Sequence, residues 1–174
     1  MELVDILDST YNVVGKKSKL EAHRLGLIHR TIIAGVMDSK GRFLLVRQAS
    51  SKQDADKFVF PVGGHVKAGE KIIDALRRET LEEIGFKKFS FTYKGEAFFS
   101  RMHDGKQENH YFTYFEIISD DKPTLGYESS SYEYFSFMQI QEMINDAPED
   151  FGEGFFIVIK YFYPKLKIPP KKGL

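Results

Sequence analysis

Glu70, Arg78, Glu79, Glu82 and Glu83 fall within one stretch, GHVKAGEKIIDALRRETLEEIGF, running from Gly64 to Phe86. Carboxylates gathered in this way are the oxygen donors of a hard divalent cation, which keeps further coordination positions for water and phosphate oxygens. The spacing from Glu70 to Ile84 predicts a helix, and Gly85 suits the left-handed residue that ends one. With Glu79 at zero and about 100° per residue, Ile72, Ile73, Leu76, Thr80 and Ile84 share an apolar arc between roughly 20° and 140°. Glu79, Glu82 and Glu83 span a sector of about 100° that borders this arc, and Glu83 enters it. The far side carries Lys71, Asp74 and Arg78. Carboxylates at the margin of a core repel one another and lose hydration, a cost that a bound cation removes. Spacing alone also suits a solvated, salt-bridged face, so both readings stay open at this point.

Several elements must hold this stretch in place. Residues 2–7 and 11–15 are apolar and β-branched around Asp8-Ser9-Thr10 and predict an N-terminal hairpin. Residues 16–24 are polar and basic and read as a solvated connection. A second hairpin is predicted from residues 29–36 and 42–47 around Asp38-Ser39-Lys40-Gly41. Residues 49–57 form a loop, and the short apolar run 58–61 leads into Gly63-Gly64, read as a tight glycine-rich loop before the helix. A third hairpin is predicted from residues 92–101 and 109–117, joined through Asp104-Gly105. Residues 122–131 are a loop, 132–137 a short strand and 139–145 a short helix. Asp150 is placed to cap a last helix over 154–163, and the tail KIPPKKGL reads as loose. Strands around one long central helix, closed by C-terminal helices, predict an α/β/α sandwich with a mixed sheet.

At 174 residues the chain is expected to form a single domain, 1–174, with the hairpin extension over about 1–25. Lys plus Arg and Asp plus Glu both number 25, which argues against recruiting a nucleic acid polymer or an anionic membrane by bulk charge. The absence of cysteine excludes disulfides, thiolate metal sites and cysteine nucleophiles. The opening MELVDILDST lacks the pattern of a signal peptide, and no apolar run approaches the ~18 residues of a membrane span, so a soluble, cytoplasmic protein is expected.

The central stretch resembles the Nudix box, G-x5-E-x7-R-E-U-x-E-E-x-G-U with U bulky and apolar. It matches at Gly64, Glu70, Arg78, Glu79, Glu82, Glu83, Gly85 and Phe86, and departs at Thr80, where the family prefers an aliphatic residue. The Thr80 hydroxyl, inside the apolar arc, is expected to bond back to a helix carbonyl. The resemblance implies a hydrolase of a diphosphate linked to another group, working with Mg²⁺ or Mn²⁺. It implies that Glu79, Glu82 and Glu83 hold the metal, with Glu70 a further ligand through water or a tie between loop and helix. Arg78 orients the acidic residues by ion pairing, and Gly63, Gly64 and Arg78 face the substrate. The base is a box glutamate, Glu79 or Glu82, or a glutamate of a later loop, for which Glu128 in ESSSYEYFSF is the candidate, its alternative being an ordinary exposed loop residue. The resemblance further implies a small-molecule substrate and a homodimer.

The opening hairpin, HRLGLIHR and GGHVKAGE carry a narrower resemblance, to the Nudix branch that includes isopentenyl-diphosphate isomerase. Gly63 stands where the isomerase has its catalytic cysteine, so the isomerase's protonation machinery is missing in its usual form. His23, His29 and His65 stand near that branch's metal histidines, and Glu108 and His110 lie in the segment that supplies its later ligands, with His110 in place of a glutamate. A metal site is one reading of this set. The favoured one has His29 and His65 hydrogen-bonded near the loop and His23 on the surface. Specificity is assigned to loop 49–57 and to the aromatic segments around Phe98 and Tyr111, whose rings serve base stacking or core packing. A non-catalytic diphosphate-binding module is the remaining alternative.

Overall fold

The N-terminal hairpin consists of β1 (Leu3–Leu7) and β2 (Val13–Ser18), paired antiparallel. Its turn is tied by the Asp8 carboxylate, which accepts from the N–H groups of Thr10 and Asn12. The computed structural model describes residues 2–103 and 106–169. The stretch 16–24 is no solvated connection: β2 runs to Ser18, and α1 (Lys19–Arg24) follows at once. Ser18 and Glu21 form a reciprocal capping box there, which satisfies helix donors that a six-residue helix otherwise leaves to water.

At the centre lies β3 (Ile28–Met37). Along its length it pairs antiparallel with β1 at residues 28–29, with β6 (Val62–His65) at 31–34 and with β4 (Phe43–Gln48) at 36–37. It also pairs in parallel with β8 (Lys106–Ile118) from His29 to Met37. β4 continues the sheet through β5 (Phe58–Val59) and β9 (Ser129–Phe135), and β8 pairs with β7 (Ser90–His103). The sheet is mixed, as the sequence predicts. The turn at Asp104-Gly105 lies outside the described residues.

Successive residues of the inner strands serve two separate cores. Ile32, Ala34 and Leu44 pack with Ala75, Leu76 and Ile84 of α2 (Ile72–Ile84). Leu45 and Phe43 pack on the other face with α3 (Phe137–Asp146) and α4 (Glu153–Phe162), through Ile140, Ile144, Phe155 and Val158. The period of two along the strands thus places helices on both faces. Asp150 does not cap α4. It ends a short 3-10 turn (Pro148–Asp150), and Gly152 takes the N-cap position without a side-chain bond. The tail is anchored at its first residue, where Lys167 N–H donates to Gln141 Oε1, and residues 170–174 lie outside the described residues. Among the described residues no helix is long and apolar enough to cross a membrane.

Candidate active site

The glycines before the helix are in an extended strand rather than a tight turn. β6 pairs Gly63 and Gly64 with Ile33 and Ile32 of β3, and neither glycine has a positive φ. Their smallness serves another purpose. A Cβ on Gly64 would sit 2.1 Å from both Cδ and Oε1 of Glu79, so the missing side chain is the space that the Glu79 carboxylate occupies. A Cβ on Gly63 would meet only the Ile32 carbonyl, at 3.7 Å. The Gly63 N–H donates to Glu83 Oε2 at 3.2 Å. Strand β6 therefore seats both glutamates at the margin of the buried face of α2, whose end is closed by Gly85 at φ 76°.

Arg78 does not lie on a solvated side. It is largely covered, and it donates from Nε and NH2 to the two Glu70 oxygens, from NH2 to the His65 carbonyl and from NH1 to Glu79 Oε1. Four of its five N–H groups are engaged by the protein itself, which makes it a clamp between the loop and the helix. Glu70 Oε2 also accepts from Lys67 N–H, so both Glu70 oxygens hold the loop. Glu82 is exposed on the same helix, 3.7 Å from Arg78. Thr80 is fully buried, and its hydroxyl makes no hydrogen bond among the described residues, so the expected bond to a helix carbonyl is absent.

Burial disfavours the charge on both seated carboxylates. It pushes Glu79 up against the opposing Arg78 ion pair, and it pushes Glu83 up to about 9, with the Glu79 and Glu128 charges adding to the effect. Two carboxylates crowded at the wall of an open cavity, with a glycine cradle shaped to one of them, fit a hard divalent cation that would supply the missing positive charge. The cavity has a volume of about 480 Å³, and Glu79, Glu82, Glu83, Arg78 and Glu128 all line it. Glu128 is more than an isolated loop residue, since Lys52 Nζ pairs with its Oε1 at 2.6 Å. Burial works to raise its pKa, but hydrogen bonds from Lys52 and Tyr127 outweigh this and leave it below the ordinary carboxylate value. Lys52, on loop 49–57, carries no sequence signal beyond being one cation in a polar loop. Phe98 and Tyr111 do not line the cavity; their strand neighbours Phe99 and Phe112 do. Tyr111 instead stacks on Tyr11 with ring centroids 3.8 Å apart.

The histidines are arranged differently from the favoured expectation. His23 is not a surface residue; α1 turns it inward to meet His29 of β3, His65 of β6 and His110 of β8. One ligand nitrogen from each of the four lies within 4.8 Å of all the others. His29 and His110 are partners in the parallel β3–β8 ladder, and His65 enters from β6 on the opposite edge of β3. The His29 Nδ1–H donates to the Leu27 carbonyl at 2.8 Å, turning Nε2 toward the cluster. Burial lowers the pKa of His29 to about 4 and that of His110 to about 2, and holds His65 well below the usual imidazole value. Glu108 stands outside the set: its Oε2 accepts from Arg101 Nε at 2.6 Å, while its Oε1 is 3.7 Å from His23 Nδ1. The readable signal for this assembly was the Ser18-x-x-Glu21 capping box, which marks the helix that carries His23.

The NUDIX domain model matches residues 27–154, which include β3, the box helix and Glu128. The chain belongs to the NUDIX domain family. As a Nudix hydrolase it is an enzyme of the pyrophosphohydrolase type. An isopentenyl-diphosphate Delta-isomerase of Serratia proteamaculans is 29% identical over 91% of this chain and 90% of its own. The nucleoside triphosphatase NudI of Klebsiella pneumoniae is 34% identical over 60% of this chain and 79% of its own. Among solved structures, Deinococcus radiodurans DR0079 superposes with a TM-score of 0.77 at 23% identity, covering 93% of this chain and 99% of that one, and so shares the fold.

Proposed function

We propose that this Nudix hydrolase cleaves the diphosphate linkage of a small organic diphosphate, such as a nucleoside diphosphate linked to another moiety, with Mg²⁺ or Mn²⁺ as cofactor. The observation that carries this reading is the seating of Glu79 and Glu83 against β6, at the wall of the cavity that Glu128 also lines. In this reading Glu79, Glu82 and Glu83 hold the ion, which when bound neutralises the diphosphate and lowers the pKa of water. Arg78 and Glu70 keep the loop and helix in register so that these carboxylates stay aimed. Glu128 accepts the proton of the attacking water: hydrogen bonds from Lys52 and Tyr127 hold its pKa below the ordinary carboxylate value, and it lines the same cavity as Glu79 and Glu83. Glu82, exposed on the same side, is the other base candidate. The chain is read as one domain acting in the cytoplasm on small molecules, with a homodimer as the family-based expectation.

Glu79→Gln tests this. With Mg²⁺ and a panel of diphosphate compounds, the variant should stay folded by circular dichroism and lose most phosphate release. Unchanged release would overturn the metal-hydrolase reading, and no release by the wild-type protein across the panel would favour a binding module that catalyses nothing.

The isomerase-like reading is supported by the histidine cluster and by the Serratia relative's span of 91% of the chain. It is opposed by Gly63 at the cysteine position in a chain without cysteine. Product analysis separates the two, because an isomerase conserves the diphosphate and a hydrolase divides it. In either case the four histidines are read as the place of a second ion, as the isomerase resemblance implies.

A further inference from the structure

We propose that Gly126 is a positioning residue for the base: its missing side chain lets loop 122–128 dock on the C-terminal turn of α2, and that docking sets Glu128 in register with Glu82 and Glu83. This rests on reading Glu128 as the base of the proposed hydrolysis.

α2 ends on Gly85, whose N–H donates to the Leu81 carbonyl at 3.1 Å and whose left-handed φ turns the chain away. That bond satisfies the first of the helix's terminal carbonyls and leaves those of Glu82, Glu83 and Ile84. A segment distant in sequence takes two of them: Thr124 N–H donates to Ile84 O at 3.0 Å, and Gly126 N–H donates to Glu83 O at 2.8 Å. The third, the Glu82 carbonyl, lies against Gly126 itself. A Cβ at Gly126 would stand 2.5 Å from Glu82 O and 3.4 Å from the Glu83 Cα, so only glycine lets the loop lie this close to the helix. The atom it would strike belongs to the backbone and cannot swing aside as a side chain would. Gly126 has no positive φ, so close approach rather than backbone conformation requires glycine here.

Water would serve the same carbonyls at a helix end where Glu82 is exposed, so hydrogen bonding alone does not account for a loop fitted this closely. What the contact adds is a fixed distance between two parts of the site. Glu128 follows Gly126 and Tyr127 directly in the chain. Glu83 serves both parts: its side chain, held by the Gly63 N–H, belongs to the carboxylates read as metal ligands, and its main chain anchors the loop that carries the base. Loop 49–57 holds Glu128 as well, since Ala49 N–H donates to the Glu128 carbonyl at 2.8 Å and Lys52 Nζ pairs with its carboxylate at 2.6 Å. Glu128 is thus fixed between α2 and loop 49–57. A shift at Gly126 passes to the base, while Glu79 and Glu83 keep their own supports in β6 and Arg78.

Gly126→Ala, Glu128→Gln and the double variant of the full-length protein form a double-mutant cycle, read as phosphate release from the panel of diphosphate compounds with saturating Mg²⁺. The added Cβ must recede by about 1 Å to reach ordinary contact, and a misplacement of that size costs on the order of 100-fold in rate. Gly126→Ala should therefore lower kcat by roughly 10- to 100-fold with KM changed by less than about twofold. In the Glu128→Gln background the same substitution should cost less than about twofold more, because it acts through the group already removed. Circular dichroism checks the fold of each variant. Amide hydrogen exchange should show residues 124 and 126 protected in the wild type and less protected in Gly126→Ala, with the amides of α2 unchanged; the wild-type measurement stands even if the variant fails to fold. Equal losses in both backgrounds, a Gly126→Ala rate above half that of the wild type, or unprotected wild-type amides at 124 and 126 would overturn the positioning role and leave the hydrolase reading standing. Glu128→Gln at the wild-type rate would overturn it too, passing the base to Glu82. Wild-type protein that releases no phosphate from the panel would instead overturn the hydrolase reading, and this proposal with it.

Discussion

Replacing Gly64 by alanine tests the idea that this position exists to make room for Glu79. The added Cβ would lie 2.1 Å from Cδ and Oε1 of Glu79 and 2.6 Å from Oε2, where ordinary contact begins near 3.4 Å. The carboxylate must therefore recede by more than 1 Å, against the Arg78 clamp. Gly64 has no positive φ and is paired within β6, so alanine meets no backbone strain there and the fold should persist. A displacement of about 1 Å in a group that positions reacting atoms costs on the order of 100-fold in rate, about 2.7 kcal/mol. Steady-state phosphate release with saturating Mg²⁺, together with thermal melting, measures both quantities. Gly63→Ala is the comparison, since its Cβ meets only Ile32 O at 3.7 Å, and its loss should stay below roughly tenfold. The reasoning fails if Gly64→Ala keeps half the wild-type rate, or if Gly63→Ala falls equally far.

Thr80→Val should raise stability by about 1 kcal/mol, seen as a melting temperature higher by a few degrees, because it replaces a buried hydroxyl that has no partner. Lys52→Met should move the acid limb of the pH–rate profile upward, since Glu128 loses the hydrogen bond and charge that lower its pKa; an unmoved limb removes Glu128 from the role of base. Metal-free protein should weaken in acid. The His29 pKa is about 4 folded against 6.5 unfolded, so the unfolded chain takes up the proton first and stability, complete above pH 6.5, declines toward pH 4 by up to about 3 kcal/mol. Urea denaturation at pH 7.5 and 5 reads this, and His29→Gln should reduce the dependence, the likewise depressed His65 and His110 supplying the remainder.

The carboxylate cluster and the histidine cluster both reach the same cavity, through Glu79, Glu82 and Glu83 and through His65 and His110, but they are built by different means. The box carboxylates are consecutive turns of one helix, and a single glycine on β6 shapes the place of Glu79. The histidines come from one short helix and three strands, so their convergence depends on β3 pairing with β6 along one edge and β8 along the other. Such a set is sensitive to any slip in strand register, because a shift of one residue turns His29 or His110 to the opposite face.

By itself the sequence determined what depends on local period and local chemistry. The apolar arc of α2, the Gly85 terminator, the register of the glutamates with Arg78, and the hairpins follow from residues a few positions apart. The tertiary structure alone decided what depends on pairing across the chain. Gly64 reads as a turn residue until β6 is paired with β3 and Glu79 is seen filling its empty side. His23 reads as a surface residue until α1 folds back over the sheet. Glu108 belongs to the candidate ligands of the metal reading until Arg101 is found holding it, and Thr80 reads as self-satisfied until its hydroxyl is found without a partner among the described residues. The physical reason is common to the first three. A side chain's neighbours across a sheet are set by strand order and register, which bring together residues as distant as 23 and 110, and local periodicity holds no record of that order.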